Sequence, residues 1–128
     1  MLNLVFSRKP YIAQRFNISE YRARLSALLG EESFDVIQME GPYLGHYMAD
    51  IRKLSTATLS LRTHNVEHLI WKKKAVNEKS PLKKGYLKNM SSRLEKFEMK
   101  IARLSDCLIP ISPADEAYFK KHGCDQPM

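Results

Sequence analysis

Apolar and polar positions change their spacing along this chain, from the period of a strand to that of a helix and back. Short runs rich in apolar and β-branched residues occur at 34–39, 56–63 and 107–111, and each ends at a polar residue. A shorter apolar stretch at 2–6 is a further candidate strand. The segments between them place apolar residues every three or four positions, which is typical of helices that bury one face. The pattern therefore predicts strands that alternate with helices.

The helical segments carry recognisable start and stop signals. Asn17 and Glu20 have the spacing of a capping box, and Gly30 is a stop signal for the same helix. Pro81 begins the longest segment, because proline fits the first position of a helix. We predict helices over residues 17–30, 43–54, 66–76, 81–104 and 113–122.

The last of these helices has the clearest signals. Ser112 can cap it, Pro113 fits its first position, and Asp115 favours its amino-terminal turn. Gly123 is a common terminator at the other end. The capping role of Ser112 is complete without any further function.

Strands that alternate with helices at these spacings allow crossover connections, which favour a parallel sheet. We therefore predict a single α/β domain of Rossmann-like type, with helices on both faces of the sheet. Three clear strands make a narrow sheet for this class. We expect the fold to be incomplete, and its open apolar edge to promote self-association or strand exchange.

Composition excludes several classes of protein. The chain has 128 residues, of which 44% are hydrophobic and 27% charged, so it is long enough for one globular domain. Two cysteines are too few for a disulfide scaffold, which favours a reducing compartment. No apolar run in the sequence is long enough for a transmembrane helix. The net charge of +7 favours an anionic partner without saying which one.

The basic residues concentrate between Lys72 and Arg103. That stretch holds 11 Lys or Arg and 3 Glu, and the densest points are Lys72, Lys73, Lys74, Lys83 and Lys84. One interpretation is the solvated face of amphipathic helices. Another is a surface for anionic lipid head groups, and a third is a nucleic-acid-binding module, although no recognised nucleic-acid motif accompanies the charge.

Polar residues follow each predicted strand. Glu40-Gly41, His64-Asn65 and Ser112 stand at the three carboxyl ends, where open parallel sheets bind their ligands. Together they suggest a cleft lined by a carboxylate, an imidazole, a carboxamide and a hydroxyl. The alternative makes Glu40 a solvated turn residue and both Asn65 and Ser112 helix caps. His64 is the strongest candidate, because an imidazole at a strand end is well placed for a phosphate or hydroxyl group.

Residues 64–68 also match the inverted zinc-hydrolase motif, with His64, Glu67 and His68 at its key positions. That chemistry needs both histidines on one helix and a third metal ligand. The predicted strand runs directly into His64, which places this histidine before the helix. No third ligand stands out downstream, so a zinc hydrolase remains a minor alternative and we expect no metal site.

Three segments resemble a known family. Phe34–Gly41, Leu61–His68 and Leu108–Ser112 are similar to the amino-terminal domain of family 4 glycosyltransferases, retaining enzymes with two facing Rossmann-like domains (the GT-B fold). The Arg-x-His-Asn-x-Glu run is the most specific part. The basic helical pair at 71–103 and the residues at 120–123 also fit, so the resemblance covers nearly the whole chain.

The resemblance implies a division of roles among residues. His64 matches a strand-end position that faces the catalytic cleft, where it would contact the transferred sugar or the acceptor. Glu40 and Gly41 match a neighbouring loop, and Asn65 and Glu67 would join them in binding substrate. A nucleotide-sugar donor would bind mainly to a carboxyl-terminal domain, with no further cofactor, and a sugar or lipid-linked acceptor would bind to this domain.

The sequence also departs from the family pattern. The first strand with its glycine-rich loop and the whole donor-binding domain are absent from these 128 residues. We therefore expect this polypeptide alone to transfer no sugar. The family resemblance implies polysaccharide or glycolipid synthesis in the cytoplasm. The basic charge alone suggests peripheral contact at the inner membrane face, through Lys72, Lys73, Lys74, Lys83 and Lys84.

Overall fold

The computed structural model describes residues 10–128, so the strand predicted at 2–6 lies outside the described residues. Strands and helices alternate, as the hydrophobic pattern predicts. In chain order the elements are α1 (Tyr11–Gln14), α2 (Ser19–Glu31), β1 (Val36–Glu40), a 3-10 helix (Pro42–His46), α3 (Met48–Leu54), β2 (Thr58–Thr63), α4 (Glu67–Asn77), α5 (Pro81–Leu104), β3 (Cys107–Pro110) and α6 (Pro113–Lys121).

The three strands form one parallel sheet in the order β1-β2-β3. Glu40 pairs with Arg62 across the first two strands, and Arg62 pairs with Ile109 across the second two. The predicted parallel α/β sheet is therefore confirmed. Each strand starts and ends within two residues of its predicted bounds, and Phe34 lies outside β1 and is 40% exposed.

The helices cover one face of this sheet in the part of the chain that the structure describes. Met39, Leu59, Leu61 and Leu108 share a face through the strand register and are buried. On the other face, residues such as Val36, Arg62 and Ile109 are exposed. The prediction of helices on both faces is therefore wrong for residues 10–128. The strand order advances in one direction, and right-handed crossovers then place successive helices on the same side.

Side chains from four helices complete the core on the covered face. They pack against the strands in one hydrophobic cluster, and the contributing residues include Leu29, Ile51, Met99, Ala102 and Phe119. Phe119 and Ala102 are fully buried. Removal of this apolar surface from water is the main force that holds the helices on the sheet.

The signals predicted for α2 act differently in the structure. Ile18 is its N-cap residue, with no side-chain cap, while the side-chain Oδ1 of Asn17 accepts from Arg22 and the Glu20 carboxylate accepts from the Ser19 hydroxyl. The predicted capping box is therefore wrong. Gly30 does not stop the helix either, because it lacks a positive φ and the helix continues to Glu31.

The predicted helix at 43–54 is divided in two. A 3-10 helix covers Pro42–His46 and α3 begins at Met48. Between them, the buried Tyr47 accepts a hydrogen bond from the Ile18 N–H at 2.9 Å and donates one to the Phe16 carbonyl. This phenol therefore fastens the segment before α2 to the core.

The remaining helix starts agree with the sequence. Pro81 opens α5, and Pro113 opens α6 after Ser112, whose hydroxyl accepts from the Asp115 N–H at 3.1 Å. Gly123 has φ of +79°, a conformation that favours glycine, and it follows α6 as predicted. No helix within residues 10–128 is long and apolar enough to span a membrane.

Asp106 connects the start of β3 to the middle of the sheet. Its carboxylate accepts from Arg52 and from the Leu59 N–H, each at 2.7 Å, while its own N–H donates to the Leu59 carbonyl. The Arg52 hydrogen bond, and next the Leu59 amide, hold the pKa of Asp106 below its ordinary value. This residue therefore stabilises the β2–β3 pairing in its charged form.

Replacing Asp106 with asparagine is expected to lower the free energy of unfolding at neutral pH by about 1–2 kcal/mol. The loss is no larger because solvent screens the exposed Arg52–Asp106 ion pair. The folded pKa lies below 3.8, so the stabilisation is complete above that pH and is lost as the pH falls through the folded pKa. Urea titrations should show that the free energies of unfolding of the wild type and of Asp106→Asn become equal in strong acid. Asp125→Asn, at an exposed position, is the control. A stability difference between the wild type and Asp106→Asn that stays constant with pH would contradict the role assigned to the Asp106 carboxylate.

Candidate functional site

Glu40 and His64 meet at the carboxyl edge of the sheet. The Nε2 atom of His64 lies 3.0 Å from Oε2 of Glu40, and Nη1 of Arg62 lies 3.5 Å from the same oxygen. Glu40 ends β1, Arg62 is the penultimate residue of β2, and His64 follows that strand. The structure therefore brings together two of the side chains predicted from strand ends, and it adds Arg62 to them.

Strand register explains this arrangement. Glu40 and Arg62 are cross-strand partners, and the Gly41 N–H continues the ladder by donating to the Arg62 carbonyl at 2.8 Å. Gly41 then turns the chain with φ of +85°, where a side chain would be strained. On the same face, Gln38 donates to Oε1 of Glu40 at 2.6 Å. Both carboxylate oxygens of Glu40 are thus held in position.

The pair is open to solvent. The side chains of His64, Arg62 and Glu40 are 50%, 45% and 44% exposed, so water screens their charges. Such a group can exchange hydrogen bonds with hydroxyl groups or pair with a phosphate.

The other predicted strand-end residues lie apart from this pair. Asn65 is exposed and makes no hydrogen bond with the described residues. Ser112 caps α6 beyond β3, two strands from Glu40, which corresponds to roughly 10 Å across the sheet. The structure therefore supports the capping interpretation of Ser112, and it does not bring all four polar groups into one cleft.

Glu67 contacts a different part of the molecule. Its Oε2 atom accepts from the Tyr43 hydroxyl at 2.9 Å, which joins the first residue of α4 to the 3-10 helix. Burial, and next the hydrogen bond to Glu67, raise the pKa of Tyr43, so this phenol remains a donor. Glu67 therefore positions the loop after β1, and it forms no hydrogen bond or ion pair with His64.

The inverted zinc motif is not assembled as that motif requires. Because β2 ends at Thr63 and α4 begins at Glu67, His64 precedes the helix that carries His68. His64 is half exposed beside Glu40, whereas His68 is buried beside Glu98. Residues 10–128 contain no group of three His, Cys, Asp or Glu side chains placed to hold a metal.

A buried carboxylate at the start of α4 was not predicted. Glu98 of α5 is completely buried, and its oxygens accept from the backbone N–H groups of Glu67 and His68 at 2.9 and 3.1 Å. These groups belong to the first turn of α4, where no intrahelical acceptor exists. Glu98 therefore caps another helix from a distance of 30 residues, and the helix dipole favours its negative charge.

The same carboxylate begins a chain of hydrogen bonds. Nδ1 of His68 lies 2.6 Å from Oε2 of Glu98, and Nε2 lies 2.8 Å from the Tyr118 hydroxyl. With Nδ1 donating to the carboxylate, Nε2 accepts from the phenol. Burial, and then the charges of Glu95 and Glu98, raise the pKa of Tyr118, which keeps this donor protonated. The network fastens α4, α5 and α6 together.

Two of the five lysines singled out in the sequence have partners within the protein. Lys74 Nζ lies 4.3 Å from the centre of the Trp71 ring, and Lys84 Nζ donates to the Val76 carbonyl at 3.3 Å. The others, Lys72, Lys73 and Lys83, are exposed on α4 and α5.

Two grooves lie away from the Glu40–His64 pair. One, of about 300 Å³, borders the amino ends of β1 and β2 near Phe34 and Thr56. The other, of about 680 Å³, is an open groove on the side of α4 and α5, and its lining residues are Ile70, Lys73, Lys74, Asn77, Glu78 and Leu87. The second groove therefore belongs to the basic surface.

Comparison of the chain with protein-family models, curated proteins and solved structures gives no match. Any assignment of activity must therefore be argued from the side chains themselves. The parallel sheet and its carboxyl edge are the features from which such an argument can start.

Proposed function

We propose that this chain is the acceptor-side, Rossmann-like part of a retaining glycosyltransferase of the GT-B type. The full enzyme would move a sugar from a nucleoside-diphosphate sugar to an acceptor hydroxyl in polysaccharide or glycolipid synthesis. The observation that carries the proposal is the Glu40–His64 pair at the carboxyl edge of a parallel sheet. Both residues lie in the segments that resemble the family, and parallel sheets bind ligands at this edge.

The chemistry of the pair suits a sugar. Sugar hydroxyl groups both donate and accept hydrogen bonds, so they need partners of both kinds. The Glu40 carboxylate can accept, Arg62 can donate, and the imidazole of His64 can do either according to its tautomer. Glu40 contacts Nε2 of His64 and thereby orients the ring, so that Nδ1 is available to a ligand.

The reaction would place this edge beside the transferred group. A bond forms between the anomeric carbon and the acceptor oxygen, while the bond from that carbon to the diphosphate breaks. The proton of the acceptor hydroxyl leaves with the nucleoside diphosphate. In this scheme His64 and Glu40 hold hydroxyl groups in place, and the donor phosphates are bound elsewhere in the full enzyme.

The cysteines support a location in the cytoplasm for this proposed enzyme. Cys107 is half-buried, Cys124 is buried, and both are free thiols. Free thiols are usual in a reducing compartment and uncommon in secreted proteins. Burial raises the pKa of the Cys124 thiol and so disfavours its reactive thiolate form.

Binding of methyl glucoside and of methyl galactoside to the 128-residue chain tests the proposal, because both present sugar hydroxyl groups without the donor phosphates. We expect millimolar affinity for at least one of them, with amide shifts in NMR spectra confined to the ends of β1 and β2. Glu40→Gln and His64→Ala should each weaken binding by about five- to tenfold, the effect of losing one hydrogen bond of about 1 kcal/mol.

Glu116→Gln is the matched control, because Glu116 forms an exposed ion pair with Lys120 on α6. It should leave the affinity unchanged. Absence of binding by both ligands at high millimolar concentration would refute the proposal. So would shifts that map to another surface, or equal losses in the control and the two site variants.

A further inference from the structure

The hairpin end, defined as residues 69–88 of α4 and α5 with their connection, exposes several large apolar side chains. Leu82 is 85% exposed and Val76 is 63% exposed. Leu69, Ile70 and Tyr86 also reach solvent over more than a third of their surface. Single exposed apolar residues are ordinary, but a group of them on one projecting element indicates a contact surface.

The same segment is strongly basic. It contains seven lysines and one acidic residue, Glu78, whose carboxylate already accepts from the Ser80 N–H at 2.9 Å. Lys74 and Lys84 have partners within the hairpin, on Trp71 and the Val76 carbonyl. The exposed lysines that can meet an external anion are Lys72, Lys73, Lys79, Lys83 and Lys88.

The hairpin end projects from the sheet on the side of Glu40 and His64. Glu98 of α5 contacts the N–H of Glu67, which closely follows the carboxyl end of β2. Helix α5 begins at Pro81, 17 residues before Glu98. Pro81 therefore lies about 25 Å from Glu98 along the helix axis. Helix α5 runs from Pro81 back to the amino end of β3. Its first half therefore extends beyond the carboxyl edge of the sheet.

We infer that the hairpin end docks on the surface of an anionic lipid bilayer. Val76 and Leu82 enter the boundary between head groups and acyl chains, while Lys72, Lys73 and Lys83 contact lipid phosphates. Interfacial binding of this type combines apolar side chains with a basic surround. This docking goes beyond the proposed function and does not depend on it, although it would bring the Glu40–His64 edge towards a membrane-bound acceptor.

Charge and apolarity together favour lipid over nucleic acid. A nucleic-acid surface would place the aliphatic chains of Val76 and Leu82 against charged phosphates, where they gain nothing. Stacking of successive bases needs several open aromatic faces, whereas the hairpin end carries two aromatic residues, Tyr86 and Trp71, and Lys74 lies over one face of Trp71. The groove beside Ile70 and Leu87 offers an apolar floor next to Lys73, which matches an amphiphilic ligand.

Vesicle co-flotation and the fluorescence of Trp71, the single tryptophan of the chain, measure this docking. The probes are vesicles of phosphatidylcholine alone and vesicles with about one-third phosphatidylglycerol. We expect binding to the anionic vesicles that weakens as salt is raised, with little binding to the neutral ones. Replacing four lysines by glutamine should reduce the partition coefficient by roughly six-hundredfold, at roughly fivefold for each charge. The four positions are Lys72, Lys73, Lys79 and Lys83.

Two matched controls separate position from composition. A second quadruple variant removes four exposed lysines elsewhere, at Lys53, Lys96, Lys100 and Lys121, and so makes the same change in the net charge of +7. Its partition coefficient onto anionic vesicles should fall by less than about threefold. The partition coefficient of Leu82→Ser should fall by about fivefold or more. Leu104 is half exposed at the other end of the same helix, and Leu104→Ser should bind like the wild type. Circular dichroism confirms that each variant is folded.

Four outcomes of the vesicle experiments would overturn the inference. They are equal binding to neutral and anionic vesicles, no binding to either, equal losses in the two quadruple variants, and an unchanged affinity of Leu82→Ser. A short DNA duplex and a single-stranded RNA are tested in the same buffer. Tighter binding to either, lost specifically in the hairpin quadruple variant, would assign the surface to nucleic acid and equally refute membrane docking.

Discussion

Replacing Glu98 with alanine is expected to lower the free energy of unfolding by about 3–5 kcal/mol, because three buried hydrogen-bond donors lose their acceptor at roughly 1–3 kcal/mol each. The variant loses the acceptor for two N–H groups at the start of α4 and for Nδ1 of His68. His68 and those amides then remain buried without a partner. Total stabilities of small domains are about 5–15 kcal/mol, so this loss would leave the protein close to unfolding.

Urea titrations followed by circular dichroism and by Trp71 fluorescence measure the effect. Glu95→Ala is the control, because Glu95 lies three residues earlier on the same helix and its side chain is 43% exposed. It should change stability by less than about 1 kcal/mol. Glu98→Gln should fall between the two, since an amide keeps one acceptor oxygen but adds donors that face other donors. A loss below 1 kcal/mol in Glu98→Ala would contradict the assigned role.

Replacing Gly45 with alanine should lower the free energy of unfolding by about 2–3 kcal/mol, the upper part of the range for overpacked cores. A Cβ atom at this position would lie 2.5 Å from Cδ1 of Ile101, inside any real carbon contact. Ile101 is a buried, β-branched residue of α5, so its side chain cannot move aside freely. The 3-10 helix that contains Gly45 would have to shift away from the helix, and with it the turn that follows Glu40.

Gly85→Ala is the matched control and should have the opposite sign. Gly85 lies in an exposed part of α5 with open space around it, where alanine favours the helix by about 0.5–1 kcal/mol. Thermal and urea unfolding of the two variants therefore distinguish the cost of overpacking at position 45 from the gain in backbone entropy at position 85. Equal stabilities for Gly45→Ala and the wild type would show that the contact with Ile101 is loose.

Local signals predicted the elements well because they act within a few residues. Pro81, Ser112 and Gly123 occupy the positions that their chemistry favours, and all three helix ends agree with the sequence. Asn17 and Gly30 carried equally good signals that the structure does not use. In their region, the contact of Tyr47 with the chain before α2 determines the conformation, and such a contact between distant residues has no local pattern.

The single covered face of the sheet also had a signal in the sequence. A strand buried on both faces reads as a continuous apolar run, whereas Gln38 and Arg62 interrupt the strands that contain them. Both residues lie on the exposed face. The alternation was visible, but the fold class expected from strand and helix order outweighed it in the prediction.

The candidate site was predictable to the extent that strand ends determine it. Glu40 and His64 follow neighbouring strands, so a parallel sheet brings them together once its order is known. The buried network was missed, since it joins residues 30 and 50 positions apart. One clue existed: Glu98 stands in line with Leu94 and Ala102 on the apolar face of α5, where a charged residue needs a buried partner.

The α4–α5 hairpin has a consequence for how the chain folds. The pairing of β2 with β3 joins Leu59 to Asp106, 47 positions apart, and an unstructured loop of that length loses much entropy when it closes. Helices that are neighbours in sequence can associate before any distant strands meet. Once α4 and α5 are paired, most of the intervening residues are already ordered, and the ends of the two strands are brought within reach of each other. The hairpin thus acts as an early folding unit that lowers the entropic barrier to completing the sheet.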